Sequence, residues 1–149
     1  MDPTDRTAAW LQRLGAGFDR QAVERLLALD PQEALGLMPQ LLQAFEESLQ
    51  THLLGLQQAL EQGDVQGCRR AAHAVRSASN SMGALEFAAA CHALEKLAYG
   101  FSQEAEASPA VDSAGAPGLQ RVQEQAGIVM RLGHQLLQQV RQAGGHEQA

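Results

Sequence analysis

The apolar positions of this chain recur every three or four residues over most of its length, the pattern of helices that each bury one face. From Pro31 to about Gln62, the residues Met38, Leu41, Leu42, Phe45, Leu49, Leu53, Leu56 and Leu60 keep that interval. This predicts one helix about 45 Å long at roughly 1.5 Å per residue. Its start is expected at Asp30-Pro31-Gln32-Glu33, which reads as an N-cap, a proline at the first helical position and a capping-box acid. Gly63-Asp64 then offers a C-terminal glycine followed by an N-cap aspartate, so the chain is expected to reverse tightly into a helix over 65–82 that Gly83 closes. A helix over about 84–101 carries Phe87, Ala90, Cys91, Leu94, Leu97, Ala98 and Phe101 on one side. Another over about 118–143 repeats Leu119, Val122, Ala126, Val129, Gly133, Leu136 and Val140.

Between those last two, residues 102–117 hold two prolines, a glycine and several small or acidic residues without an apolar period, and predict a flexible loop. Residues 1–18 form an N-terminal extension in which Trp10, Leu11 and Leu14 suggest a brief, loosely docked helix. Val23, Leu26 and Leu27 mark a further helical segment over 20–29, expected to cover one end. Residues 144–149 are expected to be a disordered tail. The fold class that follows is all-α: an up-down-up-down four-helix bundle over 19–143 with an extra short N-terminal helix.

Composition narrows the function classes. The 149 residues suit one domain, and a hydrophobic fraction of 45% with only 4% aromatics leaves Leu, Ala and Val to build the core. The formal net charge is -6 and the eleven basic residues are scattered, which argues against nucleic acid as a partner. No stretch approaches the roughly 18 continuous apolar residues that a membrane span needs. The expectation is a cytoplasmic protein with no membrane association. Cys68 and Cys91 lie on apolar helix faces without metal-ligand spacing, and are expected as buried reduced thiols. His52, His92, His134 and His146 show no paired spacing that suggests metal ligation and are expected at surface or flanking positions.

His73 differs from them in its surroundings. On a helical wheel Cys68, Ala71, Ala72, Val75, Ser79 and Met82 share an arc toward the core, which turns His73 outward with Arg76, Ser77 and Asn80. An accessible imidazole among short side chains, with a guanidinium one turn on, suits a nucleophile that another protein's active site must approach. Nε2 is the expected attacking atom.

The segment A-H-A-V-R-S-A-S-N-S-M-G-A at 72–84 resembles the A-H-x-L-K-G-x-x-x-x-x-G-A signature of histidine-containing phosphotransfer (HPt) domains. L-L-Q-A-F at 41–45, A-L-E-Q-G-D at 59–64 and C-H-A-L-E at 91–95 resemble the flanking helices of that family, and the likeness spans roughly residues 20–140. The resemblance implies a four-helix bundle whose His73 accepts and donates a phosphoryl group, with Arg76 offsetting phosphate charge and Glu95 bonding the imidazole Nδ1. It places Arg69, Ser77 and Asn80 where a partner docks. Arg76 stands where lysine is usual and keeps the charge. Ser77 replaces the usual glycine, a change that could alter partner choice or rate.

By the same resemblance the chain is a phosphoryl carrier of a bacterial two-component phosphorelay, moving phosphate between receiver-domain aspartates. Its expected partners are response-regulator receiver domains and a sensor or hybrid histidine kinase, and it is expected as a monomer. The sequence has no ATP loop of the form G-x-x-x-x-G-K-[ST] and no dense acidic cluster. No cofactor is therefore expected in this chain, and Mg²⁺ is expected from the partner receiver domain. The alternative is an unphosphorylated HPt-like docking module that binds and sequesters a receiver or kinase.

Overall fold

The computed structural model describes residues 2–107 and 117–145. Among the described residues the elements are α1 (Pro3–Leu14), α2 (Arg20–Ala28), α3 (Leu37–Glu61), α4 (Val65–Met82), α5 (Leu85–Ala107) and α6 (Pro117–Gly145), with no strand. Helices α3 to α6 form the expected four-helix bundle: each packs on the next in sequence and α6 returns to pack on α3. Helix α1 lies on α2 and α6, and α2 closes one end of the bundle against α3 and α4.

Local signals fix both ends of α4. At Gly63, in the left-handed region, the chain leaves α3 with Gly63 N–H donating to the Leu60 carbonyl and Asp64 N–H to that of Ala59. The Asp64 carboxylate then accepts from Gly67 N–H at 2.9 Å and caps α4. At the far end Gly83 has φ 87°, and Gly83 and Ala84 donate to the carbonyls of Asn80 and Ser79, the paired bonds of a Schellman turn. The Gly83 carbonyl in turn accepts from Asp19 N–H at 2.8 Å, which joins the α4–α5 turn to the start of α2.

The inward stripes meet as the periodicity predicts. Phe45, Leu49, Leu53, Leu56, Phe87, Leu94, Val122 and Val129 are all buried in one core. Ser79 is the polar residue of the α4 arc, and its hydroxyl donates to the Val75 carbonyl at 2.6 Å, so it carries no unmet bond into the core. On α6, Gly133 sits where a Cβ would lie 2.5 Å from Leu53 Cδ2 and 3.0 Å from Phe87 Cε1, which lets α6 approach α3 and α5 closely. Cys68 and Cys91 are buried and unbridged.

Three expectations are corrected. The long helix begins at Leu37, not Pro31, so α3 is about 37 Å long. A helix begun at Pro31 would hold Pro39 in its interior, where the missing N–H and the ring's clash with the preceding turn break the ladder. Begun at Leu37, it holds Pro39 in the first turn, where no N–H is needed. The Asp30 carboxylate accordingly accepts from Leu35 N–H and Leu37 N–H, each at 3.2 Å, across a turn in which Glu33 and Gly36 are left-handed. Second, α5 runs through residue 107, six residues into the predicted loop; residues 108–116 lie outside the described residues, as do 146–149 of the predicted tail, whereas 144 and 145 close α6.

Third, α1 is not loosely docked. Trp10 and Leu14 are buried, and Gln139 on α6 donates to the Ala16 carbonyl at 2.7 Å. Arg6, only 8% exposed, donates to the Pro31 carbonyl at 2.7 Å and the Asp30 carbonyl at 3.1 Å, and pairs with Glu33 at 3.0 Å. An arginine of α1 thereby holds the turn that launches α3.

Candidate functional site

Helices α4 and α5 form an antiparallel hairpin about the Gly83-Ala84 turn. Residues equally far before and after Ala84 therefore face one another. Four such pairs line the outer seam: Gln66 donates to Ser102 Oγ at 2.7 Å, Arg69 lies 5.0 Å from the Tyr99 ring centre, His73 meets Glu95, and Arg76 meets His92. Steps of three and four along each helix keep every member on that seam.

The two middle pairs are linked. His73 exposes 70% of its side chain, whereas Glu95 exposes 12%, so a nearly buried carboxylate supports an imidazole that stands in solvent. Nδ1 of His73 lies 2.7 Å from Glu95 Oε1. A carboxylate only accepts, so the proton of the neutral ring sits on Nδ1 and Nε2 keeps its lone pair. Arg76 Nε is 2.9 Å from Glu95 Oε2. That contact is an ion pair set off the N–H direction, and Oε2 has no well-aligned hydrogen bond. Nη1 of the same guanidinium lies 2.7 Å from His92 Nδ1. Because arginine only donates, His92 Nδ1 is the acceptor and its ring proton sits on Nε2. The two imidazoles are thus held in opposite tautomers at the ends of one chain, His73–Glu95–Arg76–His92.

The core beneath this chain is thiol-bearing but inert. Burial pushes the Cys91 thiol up to about 12, the neighbouring Glu95 charge adds to the rise and Arg76 offsets part of it. Burial likewise raises Cys68, with Asp64 contributing. Protonated thiols at neutral pH are poor nucleophiles.

The structure brings His73, Arg76 and Glu95 together. Of the positions assigned to docking, Ser77 and Asn80 are exposed on the outer face of α4, and Arg69 is half-buried with its guanidinium over the Tyr99 ring on the seam. Arg76 is 31% exposed and its guanidinium is engaged by Glu95 and His92, a tighter placement than a cation standing in solvent. On the other flank of His73, Ala74, Ala71 and Arg70 of α4 border an open groove against Thr51, Leu54 and Gly55 of α3, with Leu54 exposed. Sequence reasoning missed His92 and Tyr99. The available signal was their position opposite Arg76 and Arg69 about Ala84. Among the described residues no group of three or more His, Cys, Asp or Glu side chains could hold a metal ion, and no helix is long and apolar enough to cross a membrane.

Comparison with known proteins bears on the same helices. The profile of the Hpt domain family matches residues 40–145, which takes in α4, α5 and the whole chain of contacts around His73. The crystal structure of histidine-containing phosphotransfer protein B from Pseudomonas aeruginosa PAO1 is similar at 27% sequence identity and a TM-score of 0.52, covering 83% of this chain and 96% of that one. No curated protein matches the sequence.

Proposed function

We propose that this chain, which belongs to the Hpt domain family, accepts a phosphoryl group on His73 Nε2 from the phosphoaspartate of one receiver domain and delivers it to another, as a carrier in a two-component phosphorelay. The observation that carries this reading is the 2.7 Å contact of Nδ1 with the nearly buried Glu95, which leaves Nε2 bare and outward among the described residues. In the transfer, the bond between phosphorus and the aspartyl oxygen breaks as the bond from phosphorus to Nε2 forms, and the aspartate leaves as a carboxylate. Glu95 holds the Nδ1 proton throughout, so the positive character that the ring gains is met by a fixed negative charge. Delivery is the reverse.

Surroundings and charge favour such an encounter. Ala74 and Ser77 leave room beside the ring. The whole chain carries a net charge of -6, and Arg69, Arg70 and Arg76 lie on the helix that carries His73, Arg70 paired with Asp64 and Arg76 with Glu95. An α4 free of acidic side chains suits the acidic, Mg²⁺-binding pocket expected of a receiver domain, which would supply the metal and the in-line geometry. A receiver helix would lie along the α3–α4 groove, against Leu54 and Ala74. The setting is cytoplasmic and bacterial, the carrier monomeric, and a sensor or hybrid kinase feeds the relay.

The test is to incubate the protein with a phosphorylated receiver domain and Mg²⁺ and to assay acid-labile label. Wild type gains it and His73→Gln does not. A wild type that binds the receiver without gaining label would sink the carrier reading and leave a docking module.

A further inference from the structure

We propose that His92 is a positioning residue for transfer at His73, acting through Arg76 and Glu95; the proposal rests on the phosphotransfer reading above. Glu95 Oε2 is buried and lacks a well-aligned hydrogen bond, so the charge of Arg76, 2.9 Å away, is what compensates it. The arginine is a long side chain, about a third exposed, and one ion pair off the N–H direction is a weak tether for it. His92 supplies the second tether. Its Nδ1 accepts from Nη1 at 2.7 Å, which pins the guanidinium across the seam with Nε toward Glu95.

The consequence reaches the reacting ring. With Arg76 pinned, the carboxylate has one oxygen against the guanidinium and the other against His73 Nδ1, so its plane and the imidazole tautomer are set together. With His92 removed, the guanidinium gains rotamers that face water, Oε2 loses its counter-charge, and Glu95 is no longer held to the orientation that keeps Nε2 bare. His92 does this without touching the phosphoryl group. Only the neutral ring with its proton on Nε2 can play the part, because a proton on Nδ1 would set two donors face to face.

The experiment uses the full chain with His92→Ala and His92→Asn, since the asparagine oxygen falls near the place of Nδ1 and restores an acceptor there. Two readouts are taken: the tautomer populations of His73 from nitrogen-15 correlation spectra of the imidazoles, and the initial rate of label transfer from a phosphorylated receiver domain. Expected are a mixed His73 tautomer and a three- to tenfold slower transfer in His92→Ala, with both recovered in His92→Asn. An unchanged tautomer and rate in His92→Ala, a faster rate, or no recovery in His92→Asn overturns the proposal. If wild type itself takes no label, the carrier reading falls, and the tautomer populations alone decide whether His92 orients His73.

Discussion

Two regions of this molecule use arginine across helices, and they use it to opposite ends. In the N-terminal cap, Arg6 of α1 is 8% exposed and spends its donors on the Pro31 and Asp30 carbonyls and on Glu33. In the α4–α5 hairpin, the side chain of Arg76 is 31% exposed, sets its charge beside Glu95 and donates to His92, and Glu95 is itself joined to the imidazole in solvent. The first arrangement ties down the carbonyls of a turn, that of Pro31 and that of Asp30, the latter also accepting from Glu33 N–H. The second arranges side chains whose far end faces outward. Changes in the cap should therefore register as stability and changes on the seam as transfer rate.

The strongest challenge to that division is Arg6→Ala. It leaves two carbonyls without their charged donor and removes the clamp on the turn before α3, a loss of about 3 kcal/mol of unfolding free energy. Urea denaturation gives the stability, and transfer to His73 measured where the variant is still folded should match wild type. A rate that falls in step with stability would mean that the cap reaches the site. Gly83→Ala probes the joint between the regions. The residue has φ 87°, and a Cβ there would lie 2.9 Å from the Ala22 Cβ and 3.1 Å from Asp19 N, so a loss of about 2 kcal/mol is expected from left-handed strain and overpacking. Hydrogen exchange should locate that loss at the start of α2 and the α4 C-terminus together.

The same contrast explains what the sequence made legible. The boundaries of α4 were readable because glycine turns and an aspartate cap act within a few residues, and the exposure of His73 followed from a single helical wheel. The contact of His73 with Glu95 came from the family resemblance. His92 was not found because it was judged for metal-like spacing on its own helix, whereas its meaning comes from the hairpin register about Ala84. In the cap, Asp30-Pro31-Gln32-Glu33 imitates a helix start, and the competing signal was Pro39, which is tolerated only near a helix N-terminus. The end of α5 was placed too early for another reason. Residues 103–106 are exposed and so show no apolar period, yet Gln, Glu and Ala are good helix formers.

Within the hairpin, Glu95→Ala should give the largest rate effect short of removing His73 itself. Without the carboxylate the ring proton is shared between both nitrogens and the developing charge is unmet, for an expected tenfold loss of transfer rate, about 1.4 kcal/mol of barrier. Glu95→Gln keeps an acceptor oxygen but no charge and should fall between the two. Urea midpoints of both variants report what emptying or neutralising this nearly buried position does to stability, and the rates are compared where each variant is folded. A Glu95→Ala protein that transfers at the wild-type rate would remove the tautomer argument from the mechanism.

The smallest expected effect tests whether the seam is itself uniform. Arg69 and Tyr99 face each other by the same register as His73 and Glu95, one turn away, with the guanidinium 5.0 Å from a ring that is half exposed. An exposed cation–π contact contributes about 0.5 kcal/mol. Among the described residues no hydrogen bond or ion pair connects that pair to Glu95, so Tyr99→Ala should lower stability by about that amount and change transfer less than twofold. If transfer instead drops tenfold while the His73 tautomer is unaltered, Tyr99 belongs to the surface the receiver grips, and the seam then divides into an orienting pair of contacts around Glu95 and a docking contact beside it. Varying the receiver concentration separates the two, because a lost docking contact raises the concentration needed for half-maximal rate, whereas a lost orienting contact lowers the rate at saturation.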